Sequence, residues 1–337
     1  MMEKKRFEEI DIAKGIGILL VIIGHCFPDV STSEGISVSA FRILHDVIYT
    51  FHMPCMFFLS GFLSKRIFRL HTIDDRKTYV LDRFVRLMVP YFVIGIVYMP
   101  VKMLLSRFAN QPYDMRNFWQ ILCGENPNGG LWYLYALFVI ELLLGIFISG
   151  KNVKYVLICS TITSILIRIT GADFYRVDNA VYFMFFVVLG AVVGAEYEKF
   201  KEWFNIYLTL TATVLLALFD YIYFQTQISF IPFASGIAGS ILVLCISRCL
   251  IQNGGGTALC RALKNLGRYS MDIYVMHGIV MVAIRIVCWS LLKLNYYVCT
   301  LLMLIGGTLI PVIVSQLILR KSKILTLLFV GERSKAL

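Results

Sequence analysis

Long apolar runs alternate with short polar stretches along almost the whole chain. A membrane-crossing helix needs about 20 predominantly apolar residues. Ten runs reach or approach that length: roughly 10–28, 40–63, 85–105, 131–149, 154–169, 180–195, 205–224, 231–251, 270–292 and 296–319. The run at 154–169 is among the shortest. The first run carries its own polar residues and has no small-residue cleavage site, so it reads as a retained helix and not as a cleaved signal. Of the connections, 64–82 is basic and too short to be a domain, and 106–130 contains the turn-rich NPNGG. There is no convincing repeat and no low-complexity tract. The pattern predicts an all-α, polytopic membrane helix bundle of about ten transmembrane helices. It forms one domain over residues 1–337, with both termini cytoplasmic.

Composition agrees with this. The 337 residues are 58% hydrophobic and only 16% charged, and the mean hydropathy is +0.76. A soluble chain of this length needs more polar surface to cover its core. The net charge of +11 would suit nucleic acid, but its placement argues otherwise. Most of the 32 Lys and Arg fall at one set of span ends and loops, among them Lys4, Lys5, Arg6, Lys65, Arg66, Arg69, Lys151, Lys154, Lys199, Lys201, Arg261, Lys264, Arg268, Arg320, Lys321 and Lys323. That alternation is the positive-inside pattern. The charge therefore reports topology and contact with anionic lipid, so the bilayer is the expected partner and nucleic acid is not. Nine cysteines lie mostly inside spans without a C-x-x-C, as small apolar residues would. No metal site is expected.

Ionisable groups inside spans are costly and mark function or assembly. In KGIGILLVIIGH, Lys14 and His25 stand eleven residues apart. On a helix that returns them to nearly the same face, about 16 Å apart along the axis. Asp11, Lys14, Ile18, Val21 and His25 make one stripe, with Gly17 and Gly24 beside it, so this helix is expected to face a protein interior. Lys14 either snorkels to water beside Asp11 or binds an anion. His25 is either a packed histidine or a reactive one. The second span adds Arg42, His45, Asp46, Tyr49, His52, Ser60 and a mid-span Pro54. Glu141, Arg168, Asp272, His277 and Arg285 lie in later spans. In DRFVRLMVPY, Arg83 and Arg86 are one turn apart where the third span starts. They are either positive-inside anchors or a phosphate clamp, since Arg offers paired donors to phosphate oxygens.

These stretches resemble the acyltransferase-3 family of bacterial multi-pass membrane acyltransferases, most closely its sugar O-acetylase, fucose O-acetylase-like branch. The residues that carry the likeness are DIAKGIGILLVIIGH, FHMPCMFFLSGF, DRFVRLMVP, LWYLYALFVIE and LGRYSMDIYVMH, which together cover most of the chain in the family's order. The resemblance implies transfer of an acetyl or other acyl group from acetyl-CoA, a substrate and not a bound cofactor, to a hydroxyl of a carbohydrate or glycan. It implies a bacterial cytoplasmic membrane as the location. It makes His25 the catalytic histidine, and Lys14, in the place of a frequent Arg, a donor-binding residue together with Arg83 and Arg86. Lys keeps the charge of Arg and lacks its planar fork.

On this expectation the donor phosphates sit at the cytoplasmic side and the pantetheine arm extends towards His25, which acts as general base or carries the acyl group. Asp46 or Glu141 would orient an imidazole. Arg42, His45, His52, Arg168 and Arg285 are the acceptor-side candidates. The acceptor stays open among polysaccharide, lipid-linked sugar, peptidoglycan sugar, small glycoside and lipid. H-x-x-x-x-D, G-x-S-x-G and H-E-x-x-H are all missing from the sequence, which removes the chemistries they serve. Two other readings use the same polar residues: an exporter or proton-coupled transporter of polysaccharide or lipid-linked sugar, and an accessory subunit in which they serve assembly only.

Overall fold

A computed structural model describes residues 7–27, 39–104, 115–174 and 176–333. Lys4, Lys5, Arg6, the end of the first apolar run at residue 28 and the stretch 105–114 lie outside the described residues. Twelve helices carry the argument: α1 (Glu8–His25), α2 (Ser39–Leu63), α3 (Ile73–Leu104), α4 (Trp132–Phe147), α5 (Val153–Thr170), α6 (Val177–Ala195), α7 (Ile206–Thr226), α8 (Ile231–Gly254), α9 (Ala258–Arg268), α10 (Ser270–Leu291), α11 (Tyr296–Leu317) and α12 (Lys323–Val330). Among the described residues there is no strand. Among the described residues nine helices, α2 to α8, α10 and α11, are long and apolar enough to cross a membrane. The expected first span, α1, is not one of them, because Glu8, Glu9, Asp11 and Lys14 fall within its 18 residues. On α5 and α7 most side chains point out of the protein, and they are apolar: Ile158, Ile162, Leu166 and Ile169 on one, Leu210, Val214 and Leu218 on the other. Such surfaces suit lipid and not water.

The helices group into two compact units, residues Met1–Lys65 with Phe186–Ser270, and residues Arg66–Phe185 with Met271–Leu337. In the first unit α1 packs against α9, α2 and α8, and α8 packs in turn on α7 and α2. The charges that exclude α1 from the apolar set are met locally. Glu8 pairs with Lys264 at 2.5 Å, and Glu9 accepts a hydrogen bond from the Tyr197 hydroxyl at 2.9 Å. Burial first, and then the Glu9 charge, hold the Tyr197 hydroxyl above the usual tyrosine range, so it stays protonated and keeps donating. On the predicted stripe Asp11, Ile18 and Val21 are buried, Lys14 is half-buried and His25 is exposed at the helix end. Helices α1 and α9 approach through glycines. A methyl group at Gly267 would collide with the Asp11 carbonyl, and one at Gly15 with the Leu263 carbonyl. Where lipid replaces water there is little hydrophobic drive between helices, and such close backbone contact holds them together.

In the second unit the third span begins earlier than its apolar run. The basic stretch 64–82 was expected to be a loop, yet it turns helical at Ile73. Thr72 caps the helix by accepting from Asp75 N at 3.0 Å, and the Asp75 carboxylate accepts from Thr72 N at 3.0 Å. This reciprocal box satisfies two otherwise orphaned donors, and T-x-x-D was legible in the sequence. Helix α3 then widens into a π-helical stretch over Phe84–Met88 before resuming α-geometry. A second π-helical stretch, Ile286–Leu291, follows Arg285 in α10.

The NPNGG segment, expected as an outer loop, is buried at Asn126, Pro127 and Asn128. Its polar groups are satisfied within the unit. Asn126 donates to the Tyr91 carbonyl at 2.9 Å and accepts from Asn128 N at 2.9 Å. Lys102 donates to the Pro127 carbonyl at 3.2 Å, and the Tyr274 hydroxyl donates to the Gly130 carbonyl. Irregular backbone is tolerated inside a membrane protein only when protected in this way.

The glycine contact yields a direct test. Gly267→Ala should force α9 away from α1 and cost about 1–3 kcal/mol, as overpacking does. Gly256→Ala has nothing within 4 Å of the added methyl and should leave stability unchanged. Thermal unfolding of the two variants in detergent, followed by intrinsic fluorescence, makes the comparison.

Candidate active site

Each unit carries polar clusters that include the residues singled out in the sequence. In the first, the histidines meet around Tyr49. His45, Tyr49 and His52 recur at intervals of four and three residues, which places them on one face of α2. The Tyr49 ring stacks on His45, with centroids 4.0 Å apart, and lies 4.7 Å from His52. Its hydroxyl reaches across to α1, 3.3 Å from His25 Nδ1 and 3.5 Å from the Gly24 carbonyl oxygen. Asp46 Oδ1 is 3.0 Å from His45 Nδ1. The imidazole beside Asp46 is thus that of its chain neighbour His45. His52 is buried and its Nδ1 donates to the Ile48 carbonyl at 2.8 Å. Arg42 is exposed. Helix α2 runs unbroken through Pro54, and a turn earlier Thr50 donates to Asp220 at 3.3 Å.

The hydrogen bonds at Tyr49 bear on the chemistry of His25. Carbonyls in a helix's last turn have no intrahelical donor, so the Gly24 oxygen is available to accept from the Tyr49 hydroxyl. With its proton so placed, the phenolic oxygen can accept from His25 Nδ1–H in the tautomer that carries one. In that arrangement the imidazole lone pair is on Nε2, the form a general base needs.

In the second unit the two arginines of DRFVRLMVPY do not point the same way. Side chains three apart on an α-helix share a face, but the wider π-helical turn separates these. Arg83 Nε lies 4.0 Å from Glu141 Oε2, and its guanidinium sits over the Tyr79 ring at 4.9 Å. The Tyr79 hydroxyl donates to the same buried Glu141 carboxylate. Glu141, a candidate partner for an imidazole, thus faces an arginine and a tyrosine here. Arg86 instead reaches the C-terminal segment. Its Nη1 is 2.9 Å from Glu332 Oε1 and donates to the Val330 carbonyl at 3.0 Å.

Arg320 joins that cluster. It grips the fully buried Asp272 through Nε at 3.1 Å and Nη2 at 2.8 Å, while its Nη1 is 3.3 Å from Glu332. Ser315 also donates to Asp272. Among the acceptor-side candidates of this unit, Arg168 is exposed and stacks over the Tyr182 ring at 3.9 Å. Arg285 is half-buried beside the second π-helical stretch.

Sequence reasoning found Tyr49 only as one more polar residue in a span, although its spacing from His45 and His52 placed it among the histidines. Tyr79, Arg320 as a partner for Asp272, and Glu332 went unnoticed. Arg320–Asp272, Tyr79–Glu141 and Arg86–Glu332 join residues 48, 62 and 246 positions apart, and no local pattern announces them.

Helices clad in exposed apolar side chains, with charged groups paired inside each unit, define a polytopic helical membrane protein. A family model described as an acyltransferase domain, that of the acyltransferase-3 family, matches residues 7–320. The chain belongs to that family, and it is in general terms a membrane acyltransferase. No curated protein and no solved structure matches it.

The Asp272 cluster predicts a stability pattern. Asp272→Ala should destabilise by up to about 3 kcal/mol, the lower end for breaking a buried ion pair, because Arg320 keeps some contact with solvent. Replacing both partners, Asp272→Leu with Arg320→Met, should recover most of the loss. Unfolding in a denaturing detergent titration measures both.

Proposed function

We propose that this protein is an O-acyltransferase of the sugar O-acetylase type. It moves an acetyl group from cytosolic acetyl-CoA to a hydroxyl of a carbohydrate or glycan at the outer face of a bacterial cytoplasmic membrane. The observation that carries the reading is His25 at the end of α1, with Nδ1 within hydrogen-bond reach of Tyr49. A histidine that donates from Nδ1 carries its lone pair on Nε2, the tautomer a general base needs. It can take the proton of an attacking sugar hydroxyl. Equally, Nε2 can accept the acetyl group and pass it on, with the thiolate of CoA leaving. His45, stacked on Tyr49 and 3.0 Å from Asp46, supports the ring that supports His25.

Lys14 stands about 16 Å from His25 along α1, comparable with the reach of a pantetheine arm. A donor laid along that helix has phosphate near Lys14 and thioester near His25. In the other unit the family resemblance makes Arg86 a donor-binding residue, with paired donors suited to phosphate oxygens, and Arg83, held by Glu141, adds positive charge on α3. The apolar walls of the spans exclude water and protect the thioester from hydrolysis. This reading places the N-terminus in the cytoplasm, in line with the basic residues at the corresponding loop ends.

Purified protein in detergent should bind acetyl-CoA. Arg86→Ala should weaken that binding at least about 10-fold, the worth of a charge-assisted hydrogen bond. His25→Ala should lower transfer of labelled acetyl to membrane carbohydrate by about 100-fold or more without weakening donor binding. Tyr49→Phe should lower transfer roughly 2- to 10-fold, as for one neutral hydrogen bond. Normal transfer by His25→Ala would remove His25 from the chemistry, and unmodified glycan crossing the membrane would support export instead.

A further inference from the structure

The C-terminal segment brings a carboxylate to the arginine assigned to donor phosphate. Helix α12 ends at Val330, and Gly331 adopts a left-handed conformation with φ of 71°. A methyl group there would collide with the Arg86 carbonyl, so the turn is made against α3 itself. The next side chain, Glu332, spans two guanidiniums, with one oxygen 2.9 Å from Arg86 and the other 3.3 Å from Arg320. Arg320 does not point there by chance. Asp272 engages its Nε and Nη2, which fixes the plane of the fork and leaves Nη1 facing Glu332. Two arginines from different helices thus converge on one small anion, the arrangement that also suits a phosphate group.

The acids of this unit differ in how easily they can leave. Asp272 and Glu141 are buried, with side-chain exposures of 0% and 1%, and removing either strands a cation. Glu332 is 40% exposed and lies just beyond the last helix, while Arg86 and Arg320 are themselves about one-third exposed. Its carboxylate can move into water at little cost. A phosphate group brings more negative charge and three acceptor oxygens, so it outcompetes a single carboxylate for the same pair of forks.

We propose that Arg86 and Arg320 together form a phosphate site for the acyl donor, which Glu332 occupies in the structure and yields on donor binding. The proposal rests on the reading that the donor is a CoA thioester and makes Arg320 a further donor-binding residue. It also makes the C-terminal segment a built-in competitor that favours release of spent CoA.

The test uses the full-length protein in detergent, with coenzyme A and phosphate-free pantetheine as probes. Glu332→Gln keeps size and shape and removes the charge. It should tighten coenzyme A binding roughly 3- to 10-fold, the gain from no longer sharing the site, and leave pantetheine binding unchanged. Glu198→Gln, a charge-matched change elsewhere, should alter neither. Arg320→Lys keeps a cation beside Asp272, loses the fork, and should weaken coenzyme A several-fold. If Glu332→Gln leaves or weakens coenzyme A binding while Arg86→Ala still impairs it, Glu332 is a structural staple and this inference falls alone. If pantetheine tightens equally, the segment is a steric cover and the phosphate site is refuted. If Arg86→Ala leaves coenzyme A binding intact, the donor assignment falls, and this inference with it.

Discussion

Every charge taken into these helices has to be met by another group, and that requirement shapes both units. In lipid an unmatched polar group costs several kcal/mol, while apolar side chains gain little by leaving lipid for each other. Polar pairs and close backbone contacts therefore decide which helices neighbour which, and in what register. Glu8–Lys264 and Glu9–Tyr197 anchor the start of α1 in the first unit, and Thr50–Asp220 ties α2 to α7. Arg83–Glu141 and Asp272–Arg320 do the same work in the second unit, joining α3 to α4 and α10 to the end of α11. Remove one member, and its partner is left charged with nowhere to go.

The same requirement separates scaffold from chemistry. A pair with both members deeply buried has no freedom to exchange, and Glu141 with Tyr79 is of that kind. A group at the end of an element, open on one side, can change partners. His25 is exposed at the end of α1 and Glu332 lies beyond α12, and the proposed function has a substrate group replace a protein one at these positions. Tyr49 sits between the two cases. Its ring stacks on His45 and its hydroxyl lies within reach of His25 and the Gly24 carbonyl, so it can hold one ring nitrogen of His25 in place.

The fold was largely legible because its main signal is one-dimensional. Apolar length alone located α4 to α8, α10 and α11 to within a few residues. Two boundaries were misread for opposite reasons. The first apolar run reads as a span from residue 10, yet Asp11 and Lys14 within it, and Glu8 and Glu9 ahead of it on the same helix, keep α1 out of the helices apolar enough to cross a membrane. The helical turn before α3's apolar run was hidden by its charge, although T-x-x-D announced it. The site was legible only in part. Periodicity along α2 showed that His45 and His52 share a face, but that Tyr49 bridges to α1 is a fact of packing. NPNGG reads as a turn-rich connection; that it is buried follows from bonds the sequence does not announce, those of Asn126 and Asn128 within the loop and to α3.

The separation of Arg83 from Arg86 shows how a small backbone irregularity redirects chemistry. With regular α-geometry the two guanidiniums would lie on one face and compete for the same acid. The π-helical stretch from Phe84 to Met88 turns Arg86 away, so one arginine is spent on the buried Glu141 and the other is offered to an exposed carboxylate. Such stretches give up regular hydrogen bonding and are found often at functional sites. Here the irregularity falls between an arginine whose partner is fixed and one whose partner can be replaced. The scaffold keeps its buried charge balanced by the first, and leaves the second able to bind an anion from outside without disturbing the packing of α3.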